Sequence, residues 1–154
     1  MKRVGILVGR EKTFPEALIK NINERGSGSV TAEFMTIGGV AASIQGLDQA
    51  TFELDICYAR HRGNLERLAQ AHTALHARLH NAAPELPCTP DAETLRRGLN
   101  FTLNIDLSPL DLFGEVSGVG TFEQAIAASE TIELHGRRYA VFSLLQLIAA
   151  KRAA

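Results

Sequence analysis

The stretch from Thr51 to Tyr58 reads TFELDICY, and its apolar and polar residues alternate. This two-residue period predicts a half-buried strand, from about Ala50 to Tyr58. Glu53 and Asp55 are two positions apart, so their side chains leave the same face, with α-carbons about 7 Å apart. Two carboxylates at this spacing can share a divalent cation. The pair is equally compatible with two acids that face water on a half-exposed strand.

A third acid occurs in a second alternating stretch. The pattern predicts a strand from Phe101 to Leu107, a turn at Ser108-Pro109, and a return strand from Leu110 to Val116. Asp111 lies within that otherwise apolar return strand, where a lone charge is costly to bury. If this strand lies beside the one that carries Asp55, three carboxylates converge.

The remaining segments alternate between helix and strand patterns. A strand from Val30 to Ile37 ends at Gly38-Gly39, and a helix carrying leucines at steps of three and four follows Gly63. Further signals predict a short helix capped by Asp91, a helix opened by Thr121, a hairpin turning at His135-Gly136, and a last helix opened by Ser143. This mixture predicts an α+β (mixed α/β) domain around one sheet.

Composition restricts the class of protein. The chain has 154 residues, 45% hydrophobic and 21% charged, which excludes a disordered or collagen-like chain. A formal net charge of −1 gives no global attraction for nucleic acid. No apolar run approaches the roughly 20 residues that a membrane span needs, and Cys57 and Cys88 form no C-x-x-C pair. We therefore expect a cytoplasmic protein without a membrane anchor.

Two other patterns suggest weaker site hypotheses. His72, His76 and His80 recur every four residues, which would place them along one side of a helix, a spacing that zinc sites use. No glutamate accompanies them as in a metalloprotease, so a metal site there is disfavoured. Cys57 on a buried strand is more typical of core packing than of a nucleophile.

The order of these motifs resembles a known family. The segment TIGGVAA at residues 36–42, followed by TFELDICY at 51–58 and by Asp111, resembles the minimal nucleotidyltransferases of the DNA polymerase beta superfamily. Among them it looks most like small bacterial proteins related to abortive-infection nucleotidyltransferase toxins. The similarity covers about residues 29–154 and implies a nucleotidyltransferase-like mixed sheet flanked by helices.

The resemblance also implies a function and a set of site residues. Glu53, Asp55 and Asp111 would be catalytic and would hold two Mg²⁺ ions, while Gly38-Gly39 would contact the phosphates of a nucleoside triphosphate. Lys151 would help to neutralise that triphosphate. The implied reaction transfers a nucleotidyl group to a hydroxyl of an RNA, a protein or a small molecule, and a cognate toxin or antitoxin is an implied partner.

A second function class stays open at this point. Glu53 stands where the family usually has aspartate, and the chain ends at Ala154 where the relatives usually continue. Both differences favour a catalytically weak binding module, such as one component of a toxin–antitoxin pair.

The first residues form a separate segment. Residues 1–15 and 31–34 resemble the leader of ATP-grasp ligases similar to glutamate ligases, without any of their catalytic region. A strand at Val4–Val8 and a helix from Phe14 to about Glu24 are predicted there. We therefore expect an N-terminal strand-helix extension at residues 1–28 and a nucleotidyltransferase-like domain at residues 29–154.

Overall fold

The structure is a computed structural model that describes residues 32–48, 50–82, 90–106, 108–134 and 137–154. The strand and helix predicted within residues 1–28, the turn at His135-Gly136 and Cys88 lie outside the described residues. The division into two domains therefore stays a prediction.

The described residues form strands and helices in the following chain order. They are β1 (Phe34–Thr36), α1 (Gly38–Ile44), β2 (Leu54–Tyr58), α2 (Arg62–Ala74), β3 (Arg78–Leu79), α3 (Ala92–Arg97), β4 (Asn100–Asn104), β5 (Pro109–Phe113), β6 (Glu115–Val116), β7 (Gly120–Thr121), α4 (Phe122–Ala125), a 3₁₀ turn (Ile126–Ala128), β8 (Glu130–Leu134), β9 (Arg137–Val141) and α5 (Leu144–Ala153).

Seven of the described strands pair into one mixed sheet in the order β3-β4-β5-β2-β1-β9-β8. The pairs β2–β5 and β1–β9 are parallel, and the other neighbours are antiparallel. The predicted α+β fold with a mixed sheet flanked by helices is confirmed. The sheet brings the strand of Asp55 and the strand of Asp111 side by side at its centre.

The two faces of β2 belong to different cores. Leu54 and Ile56 face the leucines of β5, and helices α2 and α3 cover this first face with Leu65, Leu68 and Leu95. Burial of each such leucine contributes about 1.5–3 kcal/mol. On the second face, Cys57 packs with Met35 and Val141 against residues of α1 and α5. The carboxylates of β2 and β5 lie on this second face, because side chains alternate along a strand.

The predicted helix starts are confirmed where the structure describes them. The Asp91 carboxylate accepts a hydrogen bond of 2.7 Å from the Thr94 N–H. The capping boxes predicted at Thr121 and Ser143 are both present, and they begin α4 and α5. Local capping chemistry therefore fixes where these helices begin.

The leucine periodicity beyond Gly63 overestimates the helix. Helix α2 ends at Ala74, and His76 then adopts a positive φ of 51° while the Ala77 N–H donates to the His72 carbonyl. Leu79 consequently lies in β3, a short strand that the sequence did not predict.

Two strand predictions also need correction. The strand expected up to Val116 is interrupted at Gly114, and Glu115–Val116 pairs instead with β7 in a separate two-stranded hairpin. The strand expected from Ala50 begins only at Leu54, which leaves Glu53 just before the ladder.

None of the helices in the described residues has the length and the apolar composition that a membrane-spanning helix needs.

Candidate metal centre

Three carboxylates converge where β2 meets β5. Asp55 lies directly opposite Asp111 in the parallel register, and Glu53 precedes β2 on the same side. One ligand oxygen from each of the three acids lies within 4.8 Å of the other two. The sequence hypothesis that these acids meet is therefore correct at the level of geometry, and we refer to Glu53, Asp55 and Asp111 as the acid cluster.

No basic side chain of the described residues compensates the negative charge of the acid cluster. Among the described residues, no basic side chain forms an ion pair with any of its three members. The Oδ1 atom of Asp111 is buried and has no hydrogen-bond partner. A buried carboxylate oxygen without a partner is costly, and a bound cation would relieve that cost.

Asp55 shows the electrostatic consequence. Its pKa is raised above the ordinary value of 3.8, first because burial disfavours the charged form. The negative charge of Asp111 raises the pKa further, and Glu53 adds a smaller effect in the same direction. A hydrogen bond from the Gly39 N–H opposes this shift. In the absence of a cation, ionisation of Asp55 therefore costs more free energy than ionisation of an exposed aspartate.

Gly38 and Gly39 lie against the acid cluster. Gly38 has a φ of +60°, which L side chains rarely adopt, and a Cβ at this position would overlap the Asp55 carboxylate. Gly39 donates its N–H to the same carboxylate. The glycine pair, which the sequence predicts as a phosphate contact, thus also has a structural role: it lets α1 approach Asp55 closely.

Lys151 belongs to helix α5, which packs on the side of the sheet that carries the acid cluster. It is exposed in the last turn of α5, a helix that contacts α1. The Gln45 side chain ties the end of α1 to the start of α5 by donating to the Phe142 carbonyl at 3.0 Å. The role of Lys151 as a nucleotide contact stays a prediction.

Sequence reasoning overlooked Thr51 and the exposure of Phe52. Thr51 packs against Gly39 and contacts the backbone of Glu53, while Phe52 between them is 65% exposed. The available signal was the position of Thr51 two residues before Glu53 on the same predicted face. It could not be used, because the contact with Gly39 depends on the loop between α1 and β2.

The weaker site hypotheses are resolved by the structure. His72 is buried in α2, His76 contacts Asp106 at 2.8 Å, and His80 contacts Asn104 at 3.3 Å, so the three histidines do not share a helix face. Cys57 is fully buried, and burial raises the pKa of its thiol to about 12, which fits core packing.

The donor set of the acid cluster suits a hard divalent cation. Carboxylate oxygens are the ligands that Mg²⁺, Mn²⁺ and Ca²⁺ prefer, and sulfur or imidazole ligands are not part of this cluster. The orphaned Asp111 oxygen and the glycine cradle around Asp55 both agree with a site built to hold a cation. The cluster could therefore bind a metal ion.

Comparison with known proteins gives a fold and no family. No protein-family model matches the chain, and no curated protein matches it in sequence. Among solved structures, it is similar to a Thermotoga maritima protein described as a "putative nucleotidyltransferase", with a TM-score of 0.55 and 15% identity. The match covers 90% of this chain and 84% of that one. The chain therefore has a nucleotidyltransferase-like fold.

Proposed function

We propose that this protein is a metal-dependent nucleotidyltransferase of the DNA polymerase beta type. The observation that carries the proposal is the acid cluster, in which Asp55 and Asp111 face each other across two central parallel strands and Asp111 keeps a buried oxygen without a partner. The nucleotidyltransferase-like fold agrees with it. The substrates are a nucleoside triphosphate and an acceptor that carries a hydroxyl group.

Each acid has a proposed role. Glu53 and Asp55 would hold one Mg²⁺, for the phosphates of the nucleotide, and Asp55 and Asp111 would hold a second, for the acceptor. When bound, the two ions supply charge neutralisation for an in-line displacement. The spacing of the carboxylate oxygens, all within 4.8 Å, supports ligation of shared ions.

The reaction balances without a redox partner. The acceptor hydroxyl oxygen forms a bond to the α-phosphorus, and the bond from that phosphorus to the bridging oxygen breaks, which releases pyrophosphate. Asp111 receives the proton of the hydroxyl as the general base.

Nucleotide binding is assigned to three further residues. A triphosphate held at the acid cluster would lie beside the backbone of Gly38 and Gly39, since Gly38 lies directly against the Asp55 carboxylate. Lys151 on α5 supplies a positive charge on the side of the sheet that α1 and α5 cover.

Transfer from labelled nucleotides tests this function. Each of the four nucleoside triphosphates, labelled at the α-phosphate, is incubated with Mg²⁺ and with pools of RNA, of protein and of small polyols. We expect label on one pool together with equimolar pyrophosphate. Asp55→Asn should abolish both signals, and Glu130→Gln, an exposed acid at the start of β8, should leave them unchanged. No transfer into any pool would contradict catalysis.

A second candidate is a nucleotidyltransferase-like binding module, such as a toxin or antitoxin component. The observation that favours it is the first half of α5, where Leu144, Leu145 and Ile148 are exposed and could contact a partner protein. Nucleotide binding without turnover in the same assay would support this second candidate.

A further inference from the structure

Glu53 needs support that the sheet does not provide. The ladder between β2 and β5 begins at Leu54, so Glu53 lies outside the strand pairing, and its side chain is exposed. A carboxylate on a free loop loses conformational entropy when it is fixed at a metal, which weakens binding. Some contact in the loop must restrict its backbone if it is to act as a ligand.

Thr51 makes that contact. Its hydroxyl donates to the Glu53 carbonyl at 3.3 Å, and the Glu53 N–H donates to the Thr51 hydroxyl oxygen at 3.5 Å. Both polar groups of the Glu53 backbone therefore meet one side chain.

Thr51 in turn packs directly against Gly39. A Cβ on Gly39 would stand 2.7 Å from the Thr51 hydroxyl oxygen and 2.8 Å from its Cβ, so only glycine allows this approach. Gly39 also donates its N–H to the Asp55 carboxylate. A continuous path of contacts thus runs from Asp55 through Gly39 and Thr51 to the backbone of Glu53.

We infer that Thr51 is a positioning residue of the metal centre, which fixes Glu53 relative to Asp55 through Gly39. This inference rests on the proposed function, because it assumes that the acid cluster binds a divalent cation. Thr51 itself touches neither the cation nor the substrates in this assignment, and its effect passes through the backbone of Glu53.

Binding of Mn²⁺ alone, followed by electron paramagnetic resonance, tests the inference without any nucleotide or acceptor. Mn²⁺ takes the same oxygen ligands as Mg²⁺. Thr51→Val keeps the branched shape and removes the hydroxyl, and we expect a roughly fivefold loss of Mn²⁺ affinity, the effect of about one hydrogen bond. Thr51→Ser keeps the hydroxyl and should stay within about twofold of the wild type. Thr131→Val, at an exposed threonine of β8, is the matched control and should change nothing.

The outcomes separate the two proposals. A wild-type protein that binds no Mn²⁺ removes the metal centre and the inference with it. Wild-type binding with Thr51→Val unchanged overturns the inference alone. Thr51→Ser as weak as Thr51→Val assigns the effect to packing rather than to the hydroxyl and also overturns it. Loss in Thr51→Val with recovery in Thr51→Ser, at equal melting temperatures, supports it.

Discussion

Two acidic sites in this molecule differ in the charges that surround their carboxylates. Glu93 in α3 receives hydrogen bonds of 2.7 Å from Arg96 and from Arg97, one turn later on the same helix. These two arginines lower the pKa of Glu93 to about 2. Asp55 lies beside two other acids, and its pKa is raised by burial and by the charge of Asp111. The two sites have carboxylates in common and little else.

The contrast shows how the surroundings of a carboxylate that stabilises the fold differ from those of a carboxylate proposed to bind a cation. Glu93 finds its counter-charges at i+3 and i+4, so its ionised form is satisfied locally. Asp55 and Asp111 come from distant parts of the chain, and the sheet places them together without a basic partner among the described residues. The second arrangement costs stability unless a cation joins it.

The largest expected effect separates the two sites by activity. Asp111→Asn should lower transfer by about 10²–10⁴-fold, because it removes the general base and a metal ligand. Its metal-free unfolding temperature should stay equal or rise, since a repelling charge is lost. Glu93→Gln should show the reverse, with lower stability and unchanged transfer. Calorimetry and the labelled-nucleotide assay on both variants check this, and a strongly destabilised Asp111→Asn would contradict it.

A glycine substitution tests whether the site depends on close approach of α1. Gly38→Ala should remove most Mg²⁺ binding, because its Cβ would overlap the Asp55 carboxylate. Gly46→Ala is the matched control, since Gly46 also has a positive φ (+99°) but nothing lies within 4 Å of its added Cβ. Gly46→Ala should lose about 1–2 kcal/mol from the left-handed backbone, and Gly38→Ala should lose more because of the overlap with Asp55. Equal Mg²⁺ affinity in the two variants would show that Asp55 does not need this cradle.

The raised pKa of Asp55 predicts a pH dependence of defined sign. The folded state holds this proton more tightly than the unfolded state, so the metal-free free energy of unfolding should fall as pH rises from about 3.8 through the raised pKa. Mg²⁺ needs the ionised form, so its stabilisation should grow over the same interval. At 100 times the dissociation constant it should reach about 2.7 kcal/mol.

Thermal melts across pH, with and without Mg²⁺, measure this effect. Asp55→Asn should show neither the falling stability of the metal-free protein nor the stabilisation by Mg²⁺. The same Mg²⁺ shift in the wild type and in Asp55→Asn at every pH would remove Asp55 from the metal centre.

The smallest expected effect concerns the length of one side chain. The Glu53 oxygen reaches within 4.8 Å of the other ligand oxygens from a position before β2. Glu53→Asp withdraws the carboxylate by one methylene, so we expect transfer to fall about 10-fold, the lower end of the range for a disturbed metal ligand. Steady-state rates at saturating Mg²⁺ check it. Higher transfer in Glu53→Asp would mean that the longer side chain is a handicap in this site.

The sequence predicts the acid cluster only in part. The alternation around Asp55 predicts a strand and a shared face for Glu53 and Asp55, and both capping boxes predict their helices correctly. The pairing of β2 with β5 could only be stated as a condition, because nothing local specifies which distant strand lies alongside. The predicted end of helix α2 was wrong for a similar reason. The leucine spacing continues through Leu79, while the chain turns at His76 with a positive φ, which is uncommon for residues other than glycine.

The register of β2 with β5 has a consequence for folding fidelity. A slip of one residue between these parallel strands would turn Asp111 toward the leucines of the first face, since neighbouring side chains point to opposite sides. A carboxylate buried among leucines is costly to keep charged. The acids destabilise the metal-free sheet in its correct register, but they destabilise a misaligned sheet more. The residues proposed for chemistry therefore also favour the correct strand register.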